Sequence, residues 1–185
     1  PALPALTASF GAVPAQAQLT LTALLLAFGV SQLFWGPLSD RVGRRRVLLI
    51  GLAGYTLAAI GSALAGSIEV MVFWRVLQGA FLVGLPATAI SYMGEEFSKR
   101  ALLSAVGVYI AANSLGGIAG RVVGGLLAGW FGDWQHTFLG IGFISLALLP
   151  LVIWLLPAQT RFVAMEAAPG QLRRAIQSHL GNPLL

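Results

Sequence analysis

The sequence predicts an all-α membrane protein with five transmembrane helices. Three observations predict it. Of 185 residues, 57% are hydrophobic and only 9% are charged, against roughly a quarter charged in a soluble domain. Five stretches are long enough to cross about 30 Å of hydrocarbon, which takes about 20 helical residues. Nine of the eleven Lys and Arg residues fall on one side if each stretch crosses once. This composition excludes a water-soluble enzyme and a disordered chain. The net charge of +5 does not indicate nucleic-acid binding, because the basic residues cluster between apolar runs, as membrane loops do.

The elements follow in order. Residues 1–16 hold three prolines and little periodicity. They read as the extracytoplasmic end of a missing first helix and the loop after it, because no signal-peptide pattern explains an N-terminus outside. Residues 1–39 carry no charge, and a first span fits at about 17–37. The 22 uncharged residues between Arg46 and Glu69 give a second, 47–68. The third, 70–93, contains Arg75, and the fourth, 101–128, contains Arg121. The fifth is 136–156.

Orientation follows from the basic residues. Loop 38–46 carries Arg41, Arg44, Arg45 and Arg46, loop 94–100 carries Lys99 and Arg100, and the tail carries Arg161, Arg173 and Arg174. The opposite side has only Glu69 and Asp133. The basic side is therefore expected to be cytoplasmic and the N-terminus outside. The tail, 157–185, reads as a cytoplasmic connector. In it Leu172, Ile176 and Leu180 recur every four residues with Arg173 and Arg174 off that stripe. That pattern fits a short amphipathic helix on the membrane surface, or a solvated connector.

Chemistry-bearing patterns are few. There is no cysteine, hence no disulfide or thiolate site. His136 and His179 show no acidic or His partner at ligand spacing, so no metal site and no cofactor are expected. No phosphate-binding Gly-x-x-x-x-Gly-Lys run and no Gly-x-Ser-x-Gly elbow occurs. One internal echo stands out. Gly36-Pro-Leu38-Ser-Asp-Arg-Val-Gly43 and Gly125-Leu-Leu127-Ala-Gly-Trp-Phe-Gly132 share a Gly-x-Leu-small-x-x-apolar-Gly pattern on opposite sides of the membrane. Repeats of inverted topology are a mark of transporter architecture.

The run Gly36-Pro-Leu-Ser-Asp40-Arg41-Val-Gly43-Arg44-Arg45-Arg46 resembles the signature loop between helices two and three of the major facilitator superfamily, Gly-x-Leu-Ala-Asp-Arg-x-Gly-Arg followed by two basic residues. Ser39 departs from it mildly. Arg75-Val-Leu-Gln78-Gly79 resembles the Arg-x-x-Gln-Gly segment of helix four. Gly116-Gly-Ile-Ala-Gly120-Arg121-Val-Val-Gly124-Gly125 resembles the antiporter motif of helix five, with Arg121 where the motif has proline, a departure that counts against antiport. The resemblance implies helices two to six of a twelve-helix major-facilitator-type bundle, with the first helix and the second half absent. It implies a secondary active transporter of small solutes, proton-coupled and efflux-type, in the bacterial inner membrane. Its partners would be membrane lipid, a small-molecule substrate and a second six-helix half. The alternatives are an uptake permease for an anionic metabolite, a non-transporting scaffold and an intramembrane enzyme.

The same resemblance assigns roles. Gly36, Asp40, Arg41, Gly43 and Arg44 would form a gate loop, with Asp40 meeting the second half and Arg44 pairing with Glu95 or Glu96. Arg75 and Arg121 are charges inside spans, which cost about 2.5–3.5 kcal/mol on insertion scales and so should face protein or water. By residue counting they lie at similar depth, able to form one cationic pocket or to pair separately with acids elsewhere. No Asp or Glu lies inside a span, so a proton-coupling acid would belong to the absent parts. Gln32, Gln78, Tyr109 and Asn113 are candidate cavity groups. Gly79, Gly116, Gly120, Gly124 and Gly125 are candidate packing positions.

Overall fold

The computed structural model describes residues 2–159, and every regular element among them is an α-helix: α1 (Ala2–Phe10), α2 (Pro14–Val42), α3 (Arg44–Ala63), α4 (Ile68–Leu82), α5 (Gly84–Glu96), α6 (Lys99–Phe131) and α7 (Gln135–Leu155). The expected amphipathic helix at 171–180 lies outside the described residues. Five spans are long and apolar enough to cross a membrane, with α4 and α5 counting as one. Helices are what such a sequence must form, because only intra-segment hydrogen bonds satisfy a backbone in hydrocarbon.

α2 and α6 run past the expected spans, whereas α3 starts earlier, at Arg44, and ends at Ala63, five residues before the expected bound. At 29 residues α2 rises about 44 Å, well beyond the hydrocarbon thickness. The segment 38–46, expected as a loop, is therefore helical on both flanks. The turn between α2 and α3 is Gly43 alone, at φ 102°, a conformation that suits glycine.

The third span is broken at Val83, between α4 and α5. Pro86 is the cause, since it has no N–H for the Leu82 carbonyl and its ring crowds that oxygen. Trp35 of α2 occupies the break. Its indole N–H donates to the Ala80 carbonyl at 2.6 Å, and its ring lies so close to Gly84 that a Cβ there would come within 3.1 Å of it.

α2 packs along α4, and α3 packs against α4 and α7. The α2–α4 approach is set by Gly79, where an added Cβ would fall on the carbonyl oxygen of Leu24. One apolar cluster joins Leu6, Met71, Trp134 and Phe138 at one end of the bundle. Another joins Trp35, Val47 and Val83 toward the arginine-rich end. α6 touches little besides α7 and α5, and of its 33 residues only Gly124 is buried. Leu103 and Trp154, 79% and 80% exposed, show an outer surface suited to lipid rather than water.

One turn corrects the reading of His136 as lacking an acidic neighbour. Asp133 Oδ1 accepts from the His136 backbone N–H at 3.1 Å and lies 2.5 Å from its Nδ1. The His136 ring, then its N–H, holds the Asp133 carboxyl below its ordinary value of 3.8. A depressed carboxylate pKa contributes stability that is complete above the ordinary value and is lost as pH falls through the folded one. Thermal stability in detergent should therefore fall with acid across that window. Asp133→Asn should flatten this dependence, and an unchanged acid slope in the variant would refute the assignment.

Candidate functional site

At the end where α2, α5 and α7 finish and α3 begins, Arg44 is the centre of a polar cluster. Gly43 reverses the chain, so the last turn of α2 faces the first residue of α3. Arg44 Nη2 lies 2.5 Å from Asp40 Oδ1. Its Nε donates to Glu95 Oε1 at 2.9 Å, and its Nη1 donates to Ser39 Oγ. The Arg44 side chain is 14% exposed, against 34% and 32% for the two acids. A shielded fork thus holds two half-wet carboxylates on different helices. Arginine suits this better than lysine, because its planar donors diverge at fixed angles. Of the two candidate acids, Glu95 is the one on Arg44, and Glu96 lies near Tyr92.

A second ring of contacts surrounds this one and was not foreseen. Glu95 Oε2 accepts from Gln159 Nε2 at 3.1 Å. Gln159 Oε1 accepts from the Arg45 backbone N–H at 3.2 Å. The Arg45 side chain donates to the carbonyls of Leu156 and Ile153, both at 2.9 Å. These are carbonyls that the end of α7 leaves without intrahelical partners. Tyr92 donates to the Pro157 carbonyl at 3.0 Å. Ser39, a departure from the family pattern, was the one visible signal that this loop makes its own contacts. Arg41 is exposed and Gly36 half-buried.

Arg75 lies deeper, toward the other end of the bundle. Its Nη1 donates to Gln78 Oε1 at 2.8 Å, and its guanidinium sits 4.5 Å from the Phe138 ring centroid, a cation–π contact. Tyr55 of α3 lies beside Arg75 and Gln78. The Arg75 Nε is buried and has no hydrogen-bond partner among the described residues. One donor of this charge is thus unsatisfied, a costly arrangement in a low-dielectric setting.

Arg121 is not part of this group. It is exposed on α6, a helix packed mainly on α7 and α5, and no hydrogen bond or ion pair reaches it among the described residues. The shared cationic pocket is therefore not assembled by these helices. Gln32 and Asn113 are exposed as well. Tyr109 is half-buried and lines an apolar groove of about 320 Å³ with Leu52, Leu85 and Val152. Among the glycines, Gly79 is a true contact point and an added Cβ at Gly124 would come within 3.3 Å of the Thr137 methyl, whereas Gly116, Gly120 and Gly125 face open space.

Comparison with known proteins agrees with this architecture. Residues 1–185 match the family model of the Major Facilitator Superfamily. An uncharacterized transporter of Buchnera aphidicola subsp. Schizaphis graminum is 32% identical over 99% of this chain and 44% of its own length. An inner membrane transport protein of Escherichia coli is 31% identical over 100% of the chain and 45% of its length. A chloramphenicol resistance protein of Pseudomonas aeruginosa is 37% identical over 83% of the chain and 37% of its length. The chain thus spans less than half the length of these relatives. With a match along all 185 residues and five apolar helices whose one-residue turn carries the Asp40-Arg41-x-Gly43-Arg44 run, the chain is a multi-pass membrane protein that belongs to the Major Facilitator Superfamily.

Proposed function

We propose that the protein is a secondary active transporter that exports a small solute by alternating access, coupled to protons. The observation that carries this reading is Arg44 gripping Asp40 and Glu95 on two other helices. Such a clasp at a bundle end holds one arrangement of helices and releases another when its pairs break, as a gate must. Under this reading the arginine-rich end is cytoplasmic. A second helical half closes the cavity against α6, whose exposed length carries Asn113, Gly116, Gly120 and Arg121. The coupling acid belongs to that further part of the transporter, since Asp40, Glu69, Glu95 and Glu96 all sit at helix ends and Arg75 cannot release its proton at physiological pH. Export is supported by relatives named for chloramphenicol resistance and for tetracenomycin C resistance and export. Uptake of an anion through paired Arg75 and Arg121 has no shared contact to support it, because Arg75 is held by Gln78 and Phe138 while Arg121 is exposed on α6.

Cells expressing the native chain in full should accumulate less labelled chloramphenicol or a related amphipathic drug, and a protonophore should abolish the difference. Equal accumulation across such a panel would reject export, and insensitivity to the protonophore would reject proton coupling. Arg75→Lys keeps the charge but loses the Nη1 contact to Gln78 and the flat face on Phe138. Flux should fall roughly tenfold, the effect of losing one charge-assisted hydrogen bond. Wild-type flux at equal abundance would remove Arg75 from the mechanism.

A further inference from the structure

We infer that Gln159 is a positioning residue that ties the segment after α7 to the Arg44 clasp, so that this segment moves when the clasp opens. The inference rests on the gate reading above and extends it to a residue outside the family motifs. Its basis is a continuous chain of contacts. Glu95 divides its carboxylate, one oxygen on Arg44 Nε at 2.9 Å and the other on Gln159 Nε2 at 3.1 Å. The Gln159 carbonyl oxygen accepts from the Arg45 backbone N–H at 3.2 Å, one of the N–H groups that the start of α3 leaves without intrahelical partners. Both ends of one amide are thus engaged, one by α5 and the other by α3.

The neighbouring contacts make the junction stiff. Arg45 holds the Ile153 and Leu156 carbonyls, and Tyr92 of α5 holds the Pro157 carbonyl. Residues 153–159 are therefore fastened to α3 and α5 by five hydrogen bonds. If α5 parts from α3, Arg44 loses Glu95, and Gln159 must lose either Glu95 or Arg45. The segment beyond α7 cannot stay bound to both. Opening of the clasp is thereby transmitted into the chain that follows α7.

The test uses a pair of spin labels. These 185 residues hold no cysteine, so Arg46→Cys and Ala158→Cys, which line one cavity of about 390 Å³, report their distance alone once any cysteine elsewhere in the full-length protein is changed to serine. The background is the native full-length chain in lipid. Glu95→Ala and Gln159→Ala should each raise the long-distance population roughly five-fold, the scale of one half-exposed charge-assisted hydrogen bond, and the double variant should add nothing further. Gln159→Lys keeps a donor for Glu95 and should retain most of the short distance. Gln159→Glu turns that contact into repulsion and should not. A merely structural side chain would not separate Lys from Glu in this way. An unchanged distance in Glu95→Ala, or additive effects in the double variant, would overturn the inference. Flux measured on the same variants separates the two readings: distances that shift as expected with wild-type flux in Gln159→Glu would sink the gate and leave the coupling standing.

Discussion

An Arg44→Ala variant is expected to reach the membrane at wild-type abundance and to lose transport roughly tenfold or more. Arg44 contacts Asp40, Glu95 and Ser39 at once, so its removal leaves a carboxylate on α2 and another on α5 without the cation that joined them. Each acid is about a third exposed, and each pair alone is worth at most about 1 kcal/mol after screening. Two pairs lost together, with residual repulsion added, shift a two-state equilibrium by a factor of about ten, since 1.4 kcal/mol is one decade. Asp40→Asn should impair flux less, because Glu95 and Ser39 still hold the fork. The check is flux at equal surface abundance in Arg44→Ala, Glu95→Ala and the double variant. Coupling predicts that the double is no worse than Arg44→Ala alone. Wild-type flux in Arg44→Ala would end the gate proposal.

Gly79→Ala is expected to be the most destabilising single methyl in the molecule. The added carbon would fall on the Leu24 backbone oxygen, and a backbone cannot rotate away as a side chain can. α2 and α4 must separate along their contact, at a cost of about 1–3 kcal/mol for overpacking. In a protein of this size that lowers the unfolding midpoint by several degrees, about 2–4 °C per kcal/mol. Within a bilayer the loss falls on van der Waals contact, which supplies most of helix association there. Gly107→Ala is the control. It meets nothing within 4 Å and should be neutral or stabilising by up to about 1 kcal/mol through helix propensity. Thermal unfolding in detergent distinguishes the two, and equal midpoints would refute the close-packing account.

Much of the fold was legible because span length and charge placement are local properties. A 22-residue run without charge can be read without knowing its neighbours, and so can the arginine cluster at 41–46. The pairing of Arg44 with an acid at 95 or 96 came from the family resemblance rather than from the residues. Other features depended on placement. Arg75 and Arg121 look alike as sequence, one cation in each of two apolar stretches. Packing separates them: Arg75 is enclosed by Tyr55, Gln78 and Phe138 from α3, α4 and α7, while α6 leaves Arg121 exposed. Gln159 was missed because no periodicity links it to Glu95 or Arg45, 64 and 114 residues away.

By itself, then, the sequence determined that this chain is helical, that it has five spans and that its basic ends share one side. Satisfying a backbone in hydrocarbon and clustering most basic residues between the spans dictate all three. The tertiary structure alone decided which cation is enclosed, which acid meets Arg44 and where the segment after α7 is held. Those choices depend on which helix faces meet, and that is set by close contacts such as Gly79 on Leu24 and by a reversal made in one residue at Gly43.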